Sequence, residues 1–133
     1  MTSTFYWLTV QEVVAIHDDL VKEMGGSNGL LDAGAIDSTL NRPKQLIYYE
    51  PESSIYDLAA AYGYGLVKNH AFIDGNKRTA LAVMAVFLLR NGHELIASEV
   101  EAVEVIIDLA KGELSQTELS TWLAKNVEKL HQD

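Results

Sequence analysis

Residues 80–89 read "ALAVMAVFLL", ten consecutive apolar side chains. That run is about half the length a bilayer-spanning helix requires. A helix that is apolar all round belongs inside a protein core, with other helices around it. The flanking sequence supplies those helices. Thr9 and Glu12 form an S/T-x-x-E capping box ahead of "VVAIHDDLVKEM", and Gly25-Gly26 stop that segment. A short helix is expected over Ala33 to Leu40, ended by "NRP" at 41–43. Residues 42–53, "RPKQLIYYEPES", hold both prolines of the chain and read as an exposed loop or short hairpin. Ser54 with Asp57 starts a helix to about Asn69, and the apolar helix itself runs from about Asn76 to Arg90, ending at Asn91-Gly92. Ser98 with Glu101 and Ser115 with Glu118 open two more, divided by "KGEL" at 111–114. The pattern predicts an all-α bundle around a central apolar helix.

Composition narrows the function. The 133 residues suit a single domain over 1–133, enough to bury roughly 65–70% of the extended-chain surface. There is no cysteine, which excludes disulfides and thiolate metal sites. No basic n-region followed by an apolar h-region opens the chain, and no apolar run is long enough to span a membrane, so a cytoplasmic location is expected. The net charge of −9 repels phosphate backbones and argues against general nucleic-acid binding. Lys68, Lys77 and Arg78 nevertheless lie close together in sequence, a local anion site on an acidic background.

Immediately before the apolar run stands "HAFIDGNKRTA", residues 70–80. The start of a helix presents unpaired N–H groups and a partial positive charge. Gly75, Asn76 and Lys77 lie where those donors fall, and Gly75 lets the backbone approach a ligand closely. Arg78 can grip phosphate oxygens bidentately, whereas Lys77 contributes a point charge. Asp74 is a hard oxygen ligand suited to Mg²⁺ bridging phosphates. His70 has the side chain suited to proton abstraction near neutrality. Together these are the parts that phosphoryl or nucleotidyl transfer requires. The plainer reading makes Asp74 an N-cap, Gly75 a turn residue, and Lys77 and Arg78 solvated charges. Cations in the first turn oppose the helix dipole unless an anion is present, so the residue types alone leave both readings open.

Other features read as structural. The G-x-G of "AYGYGL" (Gly63, Gly65) follows no strand, so close helix–helix approach is favoured over a dinucleotide loop. His17-Asp18-Asp19 looks like a metal cluster, but adjacent helical residues face different ways, and a solvated face is expected. His93-Glu94 follows Gly92 in a loop, and Trp122 sits at helical spacing with Leu119 and Leu123 in a packing role. Lys68 and Asn69 precede His70, and Lys68 is a further candidate for phosphate contact.

"HAFIDGNKRTA" resembles the core motif of the Fic/Doc family, H-x-F-x-[DE]-G-N-[GK]-R, and its lysine form resembles the Doc (death-on-curing) toxins. "WLTVQEVVAIHDDLV", "GLLDAGAIDSTLNRP" and "FLLRNG" extend the likeness over nearly the whole chain. The resemblance implies an all-α Fic fold with Mg²⁺ and ATP at the loop. His70 would be the catalytic base, Phe72 the buried anchor and Asp74 the Mg²⁺ ligand. Asn76 and the backbone from Gly75 to Lys77 would bind phosphate, and Arg78 would clamp it. Residues 42–53 would be the flap, able to pair with a target backbone as an added strand. Adenylyl-transferring members carry glycine where Lys77 stands and often arginine where Leu81 stands, so these departures favour γ-phosphate transfer. The resemblance thus implies a toxin kinase acting on a Ser/Thr hydroxyl of a translation component such as elongation factor Tu. Adenylyl transfer on the same scaffold is the alternative, and a non-catalytic binding module a third. None of the eleven glutamates is followed by Gly or Asn, so the internal inhibitory [ST]-x-x-x-E-[GN] helix is not found. Silencing in trans by a Phd-like antitoxin follows as the expectation.

Overall fold

Helix starts in this chain are written in side-chain caps. A computed structural model describes residues 4–26, 29 and 32–130. In it, Thr9 opens α1 (Val10–Met24), Asp32 opens α2 (Ala33–Tyr49), Ser54 opens α3 (Ile55–Asn69), Ser98 opens α5 (Glu99–Lys111) and Ser115 opens α6 (Gln116–Lys125), each accepting a backbone N–H of the first turn. Thr9, Ser54 and Ser115 form full capping boxes with Glu12, Asp57 and Glu118. The remaining helix, α4 (Asn76–Arg90), starts at Gly75 with no side-chain cap. The all-α fold expected from the sequence is thus observed.

Two helices share the centre. α4 buries Ala80, Val83, Met84, Phe87 and Leu88, while its last turn leaves Leu89 exposed. α3 is enclosed still more completely: Leu58 to Tyr62, Leu66 and Val67 are all buried, and it packs against α2, α4, α5 and α6. Its glycines explain how so many neighbours fit. A Cβ on Gly63 would run into Met84 Sδ, and one on Gly65 would lie 2.8 Å from Arg42 Cδ. Close helix–helix approach, not a dinucleotide loop, is their role. Tyr62 completes the centre, tilted against Phe87 and accepting the Leu8 N–H through its hydroxyl at 3.2 Å.

Two readings of the sequence are corrected. α2 does not end at "NRP"; it runs on through Pro43 to Tyr49, so residues 42–49 are helix and not a loop or hairpin. A proline inside a helix costs about 3 kcal/mol in an isolated helix. Here the apolar period runs straight through it: Ile36, Leu40 and Pro43 are buried, and Leu46 and Ile47 pack on the core. Tertiary burial of that stripe outweighs the missing hydrogen bond. The helical residues use their backbone groups within α2, which removes 42–49 as a strand-pairing flap.

The sequence also gave no sign of a small antiparallel ladder. β1 (His93–Leu95) pairs with β2 (Val127–Lys129) in the register His93 with Lys129. At three residues each, the strands are too short for alternation to be read. His93 and Glu94, expected in a loop, lie in β1; His93 is structural, its Nδ1 3.0 Å from the Asn91 carbonyl and its ring edge-on to Tyr56. Trp122 donates to Glu101 at 2.8 Å beside buried Leu119 and Leu123. Among the described residues, no helix is long and apolar enough to cross a membrane.

Asp57 joins α3 to α6, accepting from Ser54 N at 2.9 Å and from Ser120 Oγ at 2.5 Å. Burial pushes its pKa up, but the hydrogen bonds from Ser120 and Ser54 outweigh that and hold it below the ordinary value. A carboxyl whose pKa is lowered by folding stabilises above its unfolded pKa, near 3.8, and loses that contribution as acid protonates the native state. Asp57→Asn is therefore expected to unfold in urea with about 1 kcal/mol less stability at neutral pH. The gap to the native sequence should close as pH falls below 3.8. A gap that persists unchanged into acid would contradict an ionised Asp57 holding this junction.

Candidate active site

α3 and α4 are both locked into the core, so residues 70–75 must connect two fixed helix ends. The connection turns at His70, which ends α3 in the left-handed region at φ 49°, ψ 53°. It is the one non-glycine residue with positive φ among those described. Left-handed geometry at a residue with a bulky side chain carries strain of about 1–3 kcal/mol, held in place by its surroundings. The effect is to project the exposed imidazole from the end of a buried helix.

The loop then dips inward. Ala71 and Phe72 are buried, and the Phe72 ring stacks on His17 of α1 with centroids 3.7 Å apart. Asn76, itself buried, closes the loop from the other side: its Oδ1 accepts Phe72 N–H at 3.1 Å and its Nδ2 donates to Phe72 O at 2.8 Å. Two further backbone bonds tie the loop to the segment before α2, from Asp32 N to Ala71 O and from Ile73 N to Gly29 O, each 3.1 Å. Gly75 then starts α4 at φ 81°, where a Cβ would come within 3.1 Å of Val21 Cγ2. The left-handed conformation favours glycine there, and a Cβ would crowd Val21.

These constraints frame a cavity of about 500 Å³ lined by His70, Asp74, Gly75, Asn76, Lys77 and Arg78, together with Met24, Val67, Ile73 and Ala110. Six residues selected from the sequence thus meet at one opening. The seventh, Lys68, does not join them: its Nζ lies 5.7 Å from the Tyr64 ring centroid, in a separate cleft that also holds Arg42 and Gly112. Nor does the Asn76 side chain point at a ligand, since both its polar atoms are engaged with Phe72; only its backbone N–H belongs to the helix start. Phe72 is buried, in the anchoring position the resemblance implied.

The electrostatics of the opening favour an anion. With no capping side chain at Gly75 and no acidic residue in the first turn, the α4 N–H groups keep their partial positive charge. Lys77 and Arg78 are exposed beside them and add two formal charges. Asp74 contributes one exposed carboxylate at the rim. Among the described residues, no group of three or more His, Cys, Asp or Glu side chains is placed to hold a metal. A single carboxylate suits Mg²⁺, which keeps several waters and takes its other ligands from phosphates.

The sequence reading missed His17. A solvated face was expected for His17-Asp18-Asp19; Asp18 and Asp19 are exposed, but His17 is fully buried. Its Nε2 lies 2.7 Å from the Asp74 carbonyl oxygen and its Nδ1 3.1 Å from Asp18 Oδ1. The signal was present in the spacing: His17 falls four residues from each of Val13 and Val21, in the buried stripe of α1.

Comparison with known proteins identifies relatives of this chain. Residues 7–88 match the model of the Fic/DOC family. The chain is 30% identical over 118 residues to "Protein kinase doc" of Escherichia phage P1, covering 89% of this chain and 93% of that protein. It is 40% identical over 74 residues to "Toxin Doc" of Mycolicibacterium smegmatis, covering 55% of this chain and 57% of that one.

The Asn76 clip has a measurable consequence. Asn76→Ala leaves the buried Phe72 N–H and C=O without partners, and one such group typically costs about 1–3 kcal/mol. The variant is expected to lose at least that much stability in chemical denaturation, whether or not any ligand is added. A loss below 0.5 kcal/mol, on the order of a surface substitution, would show that the loop is not held by this side chain.

Proposed function

The chain belongs to the Fic/DOC family, and from that premise we propose that it is a Doc-type toxin that transfers the γ-phosphoryl group of Mg-ATP to a Ser or Thr hydroxyl of a protein. The observation that carries the reading is the meeting of His70, Asp74, Lys77 and Arg78 around one cavity at an uncapped helix start. Phosphoryl transfer asks a protein mainly to position the reactants and to stabilise charge spread over phosphate oxygens. The uncapped N–H groups of α4 and the two cations provide that charge stabilisation.

In this mechanism the target hydroxyl oxygen attacks the γ-phosphorus as its proton passes to His70. The bond from the γ-phosphorus to the bridging oxygen breaks, and ADP departs with the electron pair. His70 later returns the proton to solvent. Asp74 would hold Mg²⁺ against the phosphates, where the ion neutralises charge. Arg78 grips two phosphate oxygens with its planar fork, which a lysine cannot reproduce. Lys77 fills the place where adenylyl-transferring relatives have glycine and sets a cation in the anion pocket. Leu81 supplies no second arginine. Both features favour γ transfer, and a relative bearing the name "Protein kinase doc" accords with it.

The target is proposed to be a translation component, elongation factor Tu, and the setting the cytoplasm. Control is assigned to a Phd-like antitoxin whose C-terminal segment folds on binding, because the internal inhibitory motif is not found in the sequence. No strand addition is proposed for residues 42–49, which are helical.

Incubation of the protein with cell extract and ATP labelled at either the γ or the α position tests the reaction. Label from γ-labelled ATP alone is expected; label from α-labelled ATP would establish adenylyl transfer instead. His70→Ala should lower the rate by ~10²–10⁴-fold and relieve growth arrest while Mg-ATP binding is retained. Full toxicity of a stably expressed His70→Ala protein would remove His70 as the base. Arg78→Lys keeps the charge but should still lose most activity; activity equal to that of the native sequence would refute a bidentate clamp.

A further inference from the structure

The buried His17 lies outside the roles assigned above, yet it touches the active-site loop from beneath. Its ring covers one face of Phe72 at an interplanar angle of 9°. Its Nε2 stands 2.7 Å from the carbonyl oxygen of Asp74. A carbonyl only accepts, so in this arrangement Nε2 carries the hydrogen and donates it. Asp18 Oδ1, on the outer side of α1, lies 3.1 Å from the other ring nitrogen.

The Asp74–Gly75 peptide is the unit this contact holds. A trans peptide is planar, with C=O and N–H directed oppositely. Anchoring the Asp74 oxygen on His17 therefore turns the Gly75 N–H away from α1. The same anchor fixes the Asp74 backbone from which its carboxylate projects. Glycine populates positive and negative φ about equally, so nothing intrinsic to Gly75 prevents the peptide from flipping. His17 supplies what Gly75 cannot, a preference for one orientation. Val21, one helical turn further on, packs from the same side and would meet a Cβ at Gly75.

We infer that His17 is a positioning residue for the active site: its Nε2–H sets the Asp74–Gly75 peptide so that the Asp74 carboxylate and the Gly75 N–H face the nucleotide's phosphates. The inference rests on the nucleotide reading above for what is bound, but on the hydrogen bond alone for how the loop is held. His17→Phe keeps an aromatic ring on Phe72 and deletes the donor; His17→Gln keeps a donor at similar reach and deletes the ring. With Mg-ATP as the probe, His17→Phe is expected to weaken binding about tenfold. It should also lower the γ-transfer rate ~10²-fold through misplacement of the phosphates. His17→Gln should recover most of both, although it loses more of the packing. A purely structural role predicts the reverse order, with His17→Phe closer to the native protein, and that result would overturn the inference. A second measurement needs no variant and no nucleotide. Proton–nitrogen correlation spectra of the native protein should show His17 Nε2 bearing a hydrogen, and an unprotonated Nε2 would equally overturn it. If the native protein fails to bind Mg-ATP, the nucleotide reading fails, and with it the ligand named in this inference; the spectra still decide whether His17 holds the Asp74–Gly75 peptide.

Discussion

Contact between α3 and α4 is the constraint on which the remaining structure depends. Gly63 gives up its side chain so that Met84 can lie against the α3 backbone, and the Tyr62 and Phe87 rings meet across the same junction. Once those helices are fixed, the loop between them has both ends determined, and few conformations join them. Strain at His70 and the left-handed turn at Gly75 are the outcome of that closure. The surrounding elements then act as walls. α1 floors the loop through His17 and Val21, α2 packs against α3 near Gly65, and α5 brings Ala110 to the cavity rim.

A loop held this way separates its backbone groups by function. Phe72 N–H and C=O are matched by Asn76, Ala71 O and Ile73 N by the segment before α2, and Asp74 O by His17. The first turn of α4 has no side-chain cap: where the other helices have a Ser, Thr or Asp side chain, this one has glycine. A capping side chain at that position would satisfy a donor and place an oxygen at the opening. Glycine leaves the donor available, at a cost of roughly a few tenths of a kcal/mol relative to a capping side chain.

What the sequence made legible was local. Helix starts were readable because a capping box is chemistry between residues three apart, and the boundaries of α3 and α4 were recovered to the residue from Ser54, Asp57, Asn76 and Asn91. The loop residues were readable because their side-chain types fit one chemistry, and six of the seven chosen meet at one cavity. The failures all involve long-range packing. Pro43 signals a helix end by its own geometry, and only the burial of Ile36, Leu40 and Pro43 against the core reverses that. Lys68 is adjacent to the motif in sequence, but the helical rotation from Asn69 and the pull of the Tyr64 ring carry it elsewhere. His17 shares a sequence run with two exposed acidic residues, but its environment is set by Phe72, 55 residues away in the chain.

The acidic surface gives the cationic turn a further role. A chain of net charge −9 repels extended polyanions over most of its area, while Lys77, Arg78 and the α4 dipole create one small region of opposite sign. The two effects differ in range. Repulsion of a polymer sums over its whole length, whereas attraction at the helix start falls off within a turn and is strongest for a compact, highly charged group that enters the cavity. An opening of about 500 Å³ has room for such a group. On the nucleotide reading proposed above, this charge pattern favours a compact phosphate group over an extended polyanion without any element dedicated to telling them apart. In that reading the cavity limits size, and the uncapped start of α4, preceded by the Asp74 carbonyl that His17 meets at 2.7 Å, favours charge density.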